Sequence, residues 1–148
     1  MRILALDVGT KTIGVAVSDE IRIAAHGVTT IKRTELKRDL DAIGRLIGNY
    51  NPSEILIGVP YNSDGTVSKR GEVILEFAEK IKEKFSLPVE PWDESFSTVS
   101  AENILLEADL SRKKRRKVID KVAAVIILQD YLKSRENVEP RTDTNEYE

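Results

Sequence analysis

The sequence predicts an α/β domain built on one mixed sheet with helices on its faces. Three observations carry this reading. The chain opens on two β-branched apolar runs joined by a short Gly/Thr/Lys turn, as a hairpin would. Later apolar runs alternate with segments of helical periodicity. The resulting order, β-β-β-α-β-α-β-α-α, places a paired strand unit ahead of strand–helix alternation, which is the signature of a mixed sheet.

Each element has its own warrant. Residues 2–7 and 12–18 form the leading pair. Residues 23–31, "IAAHGVTTI", read as a third strand in which Gly27 marks a bulge. Thr34 is the expected cap of a helix running to about Asn49, with Leu36, Leu40, Ile43 and Ile47 on its apolar face. Asn51-Pro52-Ser53 ends it. "EILIGVP" is continuously apolar, as suits a strand buried on both faces. The polar loop "YNSDGTVSKRG" leads to a second helix whose apolar face holds Val73, Ile74, Phe77, Ala78 and Ile81. "LPVEPWDE" is a short strand, and Pro88 and Pro91 suggest an edge or an irregular one. Two more helices are expected near residues 98–108 and 112–133. Residues 1–134 make one domain, and the polar residues 135–148 are expected to be a frayed or disordered tail.

Composition narrows the function. The 148 residues are 41% hydrophobic and 32% charged, as in an ordinary globular protein with a core of its own. The absence of cysteine rules out disulfide scaffolds, thiolate metal sites and thiol nucleophiles, and fits a cytoplasmic setting. Met1 runs at once into a strand-like segment with no basic region, so no secretory leader is expected. No apolar stretch is long enough to span a bilayer. A net charge of −2 gives no bulk attraction to nucleic acid, so any such attraction must be local.

Three acidic positions then stand out. Asp7 ends the first strand, Asp93-Glu94 ends the fifth, and Asp120 lies in the last helix beside Ala123 and Ala124, which would let that helix approach the sheet closely. Ligands in such sheets lie beyond the carboxyl ends of strands. Asp7, Glu94 and Asp120 converging there would need a cation among them. Hard oxygen donors suit Mg²⁺ or Mn²⁺, and two such ions can drive phosphodiester cleavage. The competing reading is plain: strand-end acids are often turn formers or caps, and Asp120 could pair with Arg116, Lys117 or Lys121.

Positive charge is local. "SRKKRRK" holds six basic residues in succession at residues 112–117, at the start of a helix, where the macrodipole disfavours them. A phosphate backbone would explain Lys113, Arg116 and Lys117 there, and a solvated helix start is the alternative. Lys11 follows the first strand, and Lys69 and Arg70 follow the loop at residues 58–66, which reads either as a polar connection or as a mobile wall over the site. Thr98 could bind phosphate or cap a helix. Tyr61 and Trp92 read as packing residues, and the lone His26 as structural.

The stretches "LALDVGTKTIGVAVSD", "ILIGVPYNSDG", "DESFSTVSAE" and "IDKVAAVIILQDYL" together resemble the YqgF (RuvX) family of RNase H-like nucleases, over almost the whole chain. The resemblance implies an RNase H-like mixed five-stranded sheet, with the first three strands antiparallel, then βαβ, and helices on both faces. It implies that Asp7, Glu94 and Asp120 are the metal-binding acids, and that Gly9 and Lys11 belong to the first motif. The implied work is maturation of the 5′ end of 16S ribosomal RNA, with Holliday-junction resolution or non-catalytic nucleic-acid binding as alternatives. The expected partner is structured RNA or else branched DNA, with the chain a monomer or weak homodimer. One departure is visible: where the family pattern D-E-R-x-T-T has Arg and a first Thr, this chain has Ser95 and Ser97, while Thr98 remains. "DVGTKT" also resembles the phosphate turn of sugar kinases and actin-like ATPases, but those need a second such domain.

Overall fold

The computed structural model describes residues 1–94 and 121–135. Five strands form one sheet in the order β3-β2-β1-β4-β5. They are β1 (Ile3–Val8), β2 (Thr12–Ser18), β3 (Ala25–Lys32), β4 (Glu54–Val59) and β5 (Val89–Asp93), with helices α1 (Leu36–Tyr50) and α2 (Lys69–Phe85) between them. Residues 121–135 are helical and are denoted α3. β1, β2 and β3 pair antiparallel, whereas β4 and β5 join in parallel, so the mixed sheet predicted from the element order is the one observed. The two-proline strand β5 does lie at an edge.

Strand alternation divides the core in two. Leu4, Leu6, Val8, Ile13, Val15, Val17, Ile55, Ile57 and Val59 face α1 and α2. Ile3, Ala5, Ala16 and Leu56 face α3, whose Ala124, Ile127, Leu128, Tyr131 and Leu132 pack on them. Alanines on both partners let α3 approach the strands closely. β3 carries the expected bulge near Gly27: its register slips between Val15 and Ala16, leaving Val28 as the extra residue. Gly27 is also where the stem of Lys121 crosses, since a Cβ there would lie 2.5 Å from Lys121 Cε.

Three local expectations are corrected. The residue before α1 is Glu35, not Thr34, and it makes no side-chain cap. Instead Asp39, inside the first turn, reaches back so that its Oδ1 accepts the Thr34 amide at 3.1 Å. Leu36 is 43% exposed and Val73 55% exposed, so neither belongs to its helix's core face. In α2 the buried neighbours Gly71 and Ile74 show that Val73 lies on the outward side of a helix already packed on the sheet.

Candidate functional site

Alternation along β1 points Asp7 to the α3 side, in line with Ile3 and Ala5. On that side its neighbours are small. Gly14 of β2 is its register partner, and Gly58 of β4 follows the Leu6–Ile57 pair. The carboxylate therefore stands in a gap in the apolar floor. On β5, Trp92 pairs with Gly58 and packs against the α3 cluster, and its ring meets Tyr131 edge-on at 5.2 Å. Glu94, two residues on, takes the same side. Its amide donates to Val59 O at 3.3 Å, which extends β5 by one residue. Register thus selects Glu94 over Asp93.

Asp7 and Glu94 meet. Burial pushes the Asp7 carboxyl up to about 8, a hydrogen bond to Glu94 and its like charge add to the rise, and the Arg70 guanidinium pulls the other way. Among the described residues, Glu94 Oε2 is buried without a hydrogen-bond partner. It lies directly over Gly58: a Cβ on that residue would stand 2.7 Å from Oε2 and 2.8 Å from Ile127 Cδ1. The sequence reading puts Gly58 at the foot of a loop. Its work is to leave the space that Glu94 and α3 fill, and the signal for it was a glycine inside an apolar strand.

A divalent cation fits this pair. An orphaned buried carboxylate oxygen and a neighbouring carboxyl that holds its proton far above the usual carboxylate range are both relieved by a hard cation between them. Among the described residues no group of three or more metal-ligating side chains forms. Asp120, the third predicted acid, lies outside the described residues.

The predicted basic residues separate. Arg70 is drawn inward, its Nη2 donating to Val8 O at 2.8 Å, one residue beyond Asp7. Lys11, in the β1–β2 turn, and Lys69, at the start of α2, are exposed on the same side of the strands' ends. Thr98, Lys113, Arg116 and Lys117 lie outside the described residues, as do Ser95 and Ser97. The expected wall at residues 58–66 closes on itself. Asn62 N donates to Thr66 O at 2.8 Å, and Asp64 Oδ1 accepts from both the amide and the hydroxyl of Thr66, at 3.0 and 2.6 Å. Those bonds hold the Asp64 carboxyl below its usual value. Tyr61 and Trp92 pack against the two cores, as read, whereas His26 is exposed on the edge strand β3.

The family described as "RuvX: Holliday junction resolvase" matches residues 1–134. A protein of Desulforamulus reducens named "Putative pre-16S rRNA nuclease" is 52% identical over 134 residues, 90% of this chain and 98% of its own length. One of the same name from Thermoanaerobacter pseudethanolicus is 50% identical over 138 residues, 93% of this chain and 99% of its own. Among solved structures, T. thermophilus RuvC in complex with a Holliday junction substrate superposes with a TM-score of 0.58 at 14% identity, covering 92% of this chain and 96% of that one. The Fowlpox virus resolvase bound to Holliday junction DNA gives 0.58 at 16% identity, covering 90% and 98%. These likenesses establish a RuvC-type, RNase H-like fold.

Proposed function

We infer the activity from one premise: this chain belongs to the RuvX family. It is a nuclease, a hydrolase of ester bonds in nucleic acid. Its substrate, on our reading, is precursor 16S ribosomal RNA cut during maturation of the 5′ end, because relatives at 52% and 50% identity bear the pre-16S name. It acts with a divalent metal, which the hard carboxylate donors make Mg²⁺ or Mn²⁺.

The observation that carries this reading is the buried Oε2 of Glu94 beside Asp7, which has no hydrogen-bond partner among the described residues. Asp7 and Glu94 hold the metal, with Asp120 as the third acid. A bound divalent ion supplies stabilisation to the negative charge that develops on the cleaved phosphodiester. Arg70 fixes the end of β1 through Val8 O and offsets part of the acidic charge. Lys11 and Lys69 take substrate phosphates, joined by Thr98, Lys113, Arg116 and Lys117. With Ser95 in place of an arginine, that grip relies more heavily on these lysines.

The family description favours one other reading, cleavage of branched DNA. Labelled pre-16S 5′ fragment, unrelated RNA and a four-way DNA junction, each incubated with Mg²⁺ or Mn²⁺ and with wild type or Asp7→Asn, separate the two. Metal-dependent cleavage of the precursor that Asp7→Asn abolishes supports the proposal. Cleavage of the junction alone transfers it to DNA. Cleavage of nothing, with binding retained, would make the chain a non-catalytic nucleic-acid-binding module.

A further inference from the structure

The two residues after Asp7 are held by two arginines from different parts of the chain. Arg70 of α2 takes the carbonyl of Val8 at 2.8 Å. Arg33, just past β3, takes the carbonyl of Gly9 through Nη1, also at 2.8 Å. The Arg33 amide donates to Lys11 O at 2.8 Å, so the same residue grips both sides of the β1–β2 turn. The turn itself closes through Gly9 N to Thr12 O at 2.8 Å.

Arg33 is in turn fixed on two further sides. Its Nε donates to Asp39 Oδ2 at 3.1 Å. Its guanidinium carbon lies 5.2 Å above the Phe77 ring of α2. Asp39 is buried, only 3% exposed, in the first turn of α1, where the helix macrodipole favours a carboxylate. Its second oxygen is occupied by the Thr34 amide. A planar guanidinium suits this arrangement, since it can serve a carbonyl, a carboxylate and an aromatic face at once.

We propose that Arg33, braced by Asp39, is a positioning residue for the metal centre. It fixes the backbone that immediately follows Asp7, so that the Asp7 carboxylate stays aimed at Glu94 against their mutual repulsion. It also sets where Lys11 projects. The proposal rests on the reading that Asp7 and Glu94 hold a divalent ion. The alternative is an ion pair that only stabilises the packing of α1.

Arg33→Lys separates these. It keeps the charge beside Asp39 but gives up the planar fork that also reaches Gly9 O. Asp39→Asn is the second variant, removing the brace while keeping volume, and it is read in place of Arg33→Lys if that protein does not fold. Ile81→Val, a fully buried α2 position away from the turn, is the control for a general loss of stability. Mn²⁺ affinity by calorimetry should fall about tenfold in Arg33→Lys, the scale of one lost charge-assisted hydrogen bond, and hold in Ile81→Val. Exchange of the Gly9 amide, followed by NMR without metal, should quicken by a similar factor. Wild-type Mn²⁺ affinity in Arg33→Lys, or an equal loss in Ile81→Val, would overturn the proposal. A wild type that binds no Mn²⁺ while its Gly9 amide still depends on Arg33 would overturn the metal-centre reading instead, and the positioning role with it.

Discussion

Asp7 is kept near Glu94 at a free-energy cost, and that cost has a sign. Burial raises its pKa from an ordinary 3.8 to about 8. A group raised on folding contributes stability that is complete below its unfolded value and is lost as pH climbs through the folded one. Without metal, therefore, the wild type should lose stability between about pH 4 and pH 8, and Asp7→Asn should not. Thermal unfolding across that range should show the variant equal or weaker in acid and more stable at pH 8. Saturating Mg²⁺ or Mn²⁺ should reverse the order. A ligand at a hundred times its Kd adds about 2.7 kcal/mol, and the variant has lost a ligand. Identical metal affinity in the two proteins, by calorimetry, would refute a role for Asp7. Gly58 is the complementary test. Alanine there puts a carbon 2.7 Å from Glu94 Oε2 and 2.8 Å from Ile127 Cδ1. Overpacking of this kind costs about 1–3 kcal/mol, and the group forced to move is the candidate ligand. Gly58→Ala should lower both the unfolding temperature and the single-turnover cleavage rate. Asp7 was visible in the sequence because a carboxylate interrupts an apolar strand. The inward turn of Arg70 was not, because nothing in the spacing of an exposed-looking Lys-Arg pair shows that one guanidinium will cap a strand 62 residues away.

The start of α2 is the element that delivers Arg70. Ser68 caps it, its Oγ accepting the Gly71 amide at 3.0 Å and donating to Pro60 O at 2.9 Å. Gly71 fits tightly below, since a Cβ there would stand 2.7 Å from Pro60 O. The cap thus joins the end of β4 to the helix that reaches across to β1. Ser68→Ala should cost about 1 kcal/mol of stability, and chemical denaturation should detect it. Because the frayed turn carries Arg70, metal affinity should fall as well. A stability loss without any change in metal affinity would confine Ser68 to capping. At this scale the sequence was informative wherever one signal decided the outcome. Two prolines sent β5 to the edge, and a strand glycine coincided with the bulge in β3. It was less informative where a helix start is fixed by tertiary partners. Thr34 has the composition of a cap, but Asp39, one turn on and buried, takes the Thr34 amide and binds Arg33 with its other oxygen. That choice depends on Phe77 and Gly9, which no local pattern brings together.

Over the whole molecule, a chain of net charge −2 has to bind a polyanion. A net negative total gives no bulk attraction, so attraction must come from a local excess of positive charge. Lys11 and Lys69 supply a little of it near the strand ends. The sequence places a far larger share in the six consecutive basic residues just before Asp120. An acidic protein with one dense basic run should bind weakly at long range and grip most firmly where that run meets phosphate. Each phosphate contact releases counterions, so each one lost should reduce the slope of log affinity against log salt by roughly 0.7–0.9. Replacing Lys113, Arg116 and Lys117 together with Gln should then flatten the salt dependence by about 2–3 and weaken binding most at low salt. The same three substitutions leave Asp7, Glu94 and Asp120 in place, so calorimetric Mn²⁺ affinity in the absence of nucleic acid should stay close to that of the wild type. Fluorescence anisotropy with a labelled RNA over a salt series reads the first quantity and titration calorimetry the second. An unchanged slope would assign the run to solvated surface and leave Lys11 and Lys69 to carry the binding. A loss of metal affinity would instead draw the basic residues into the centre itself, as partners that keep Asp120 ionised and in reach of Asp7.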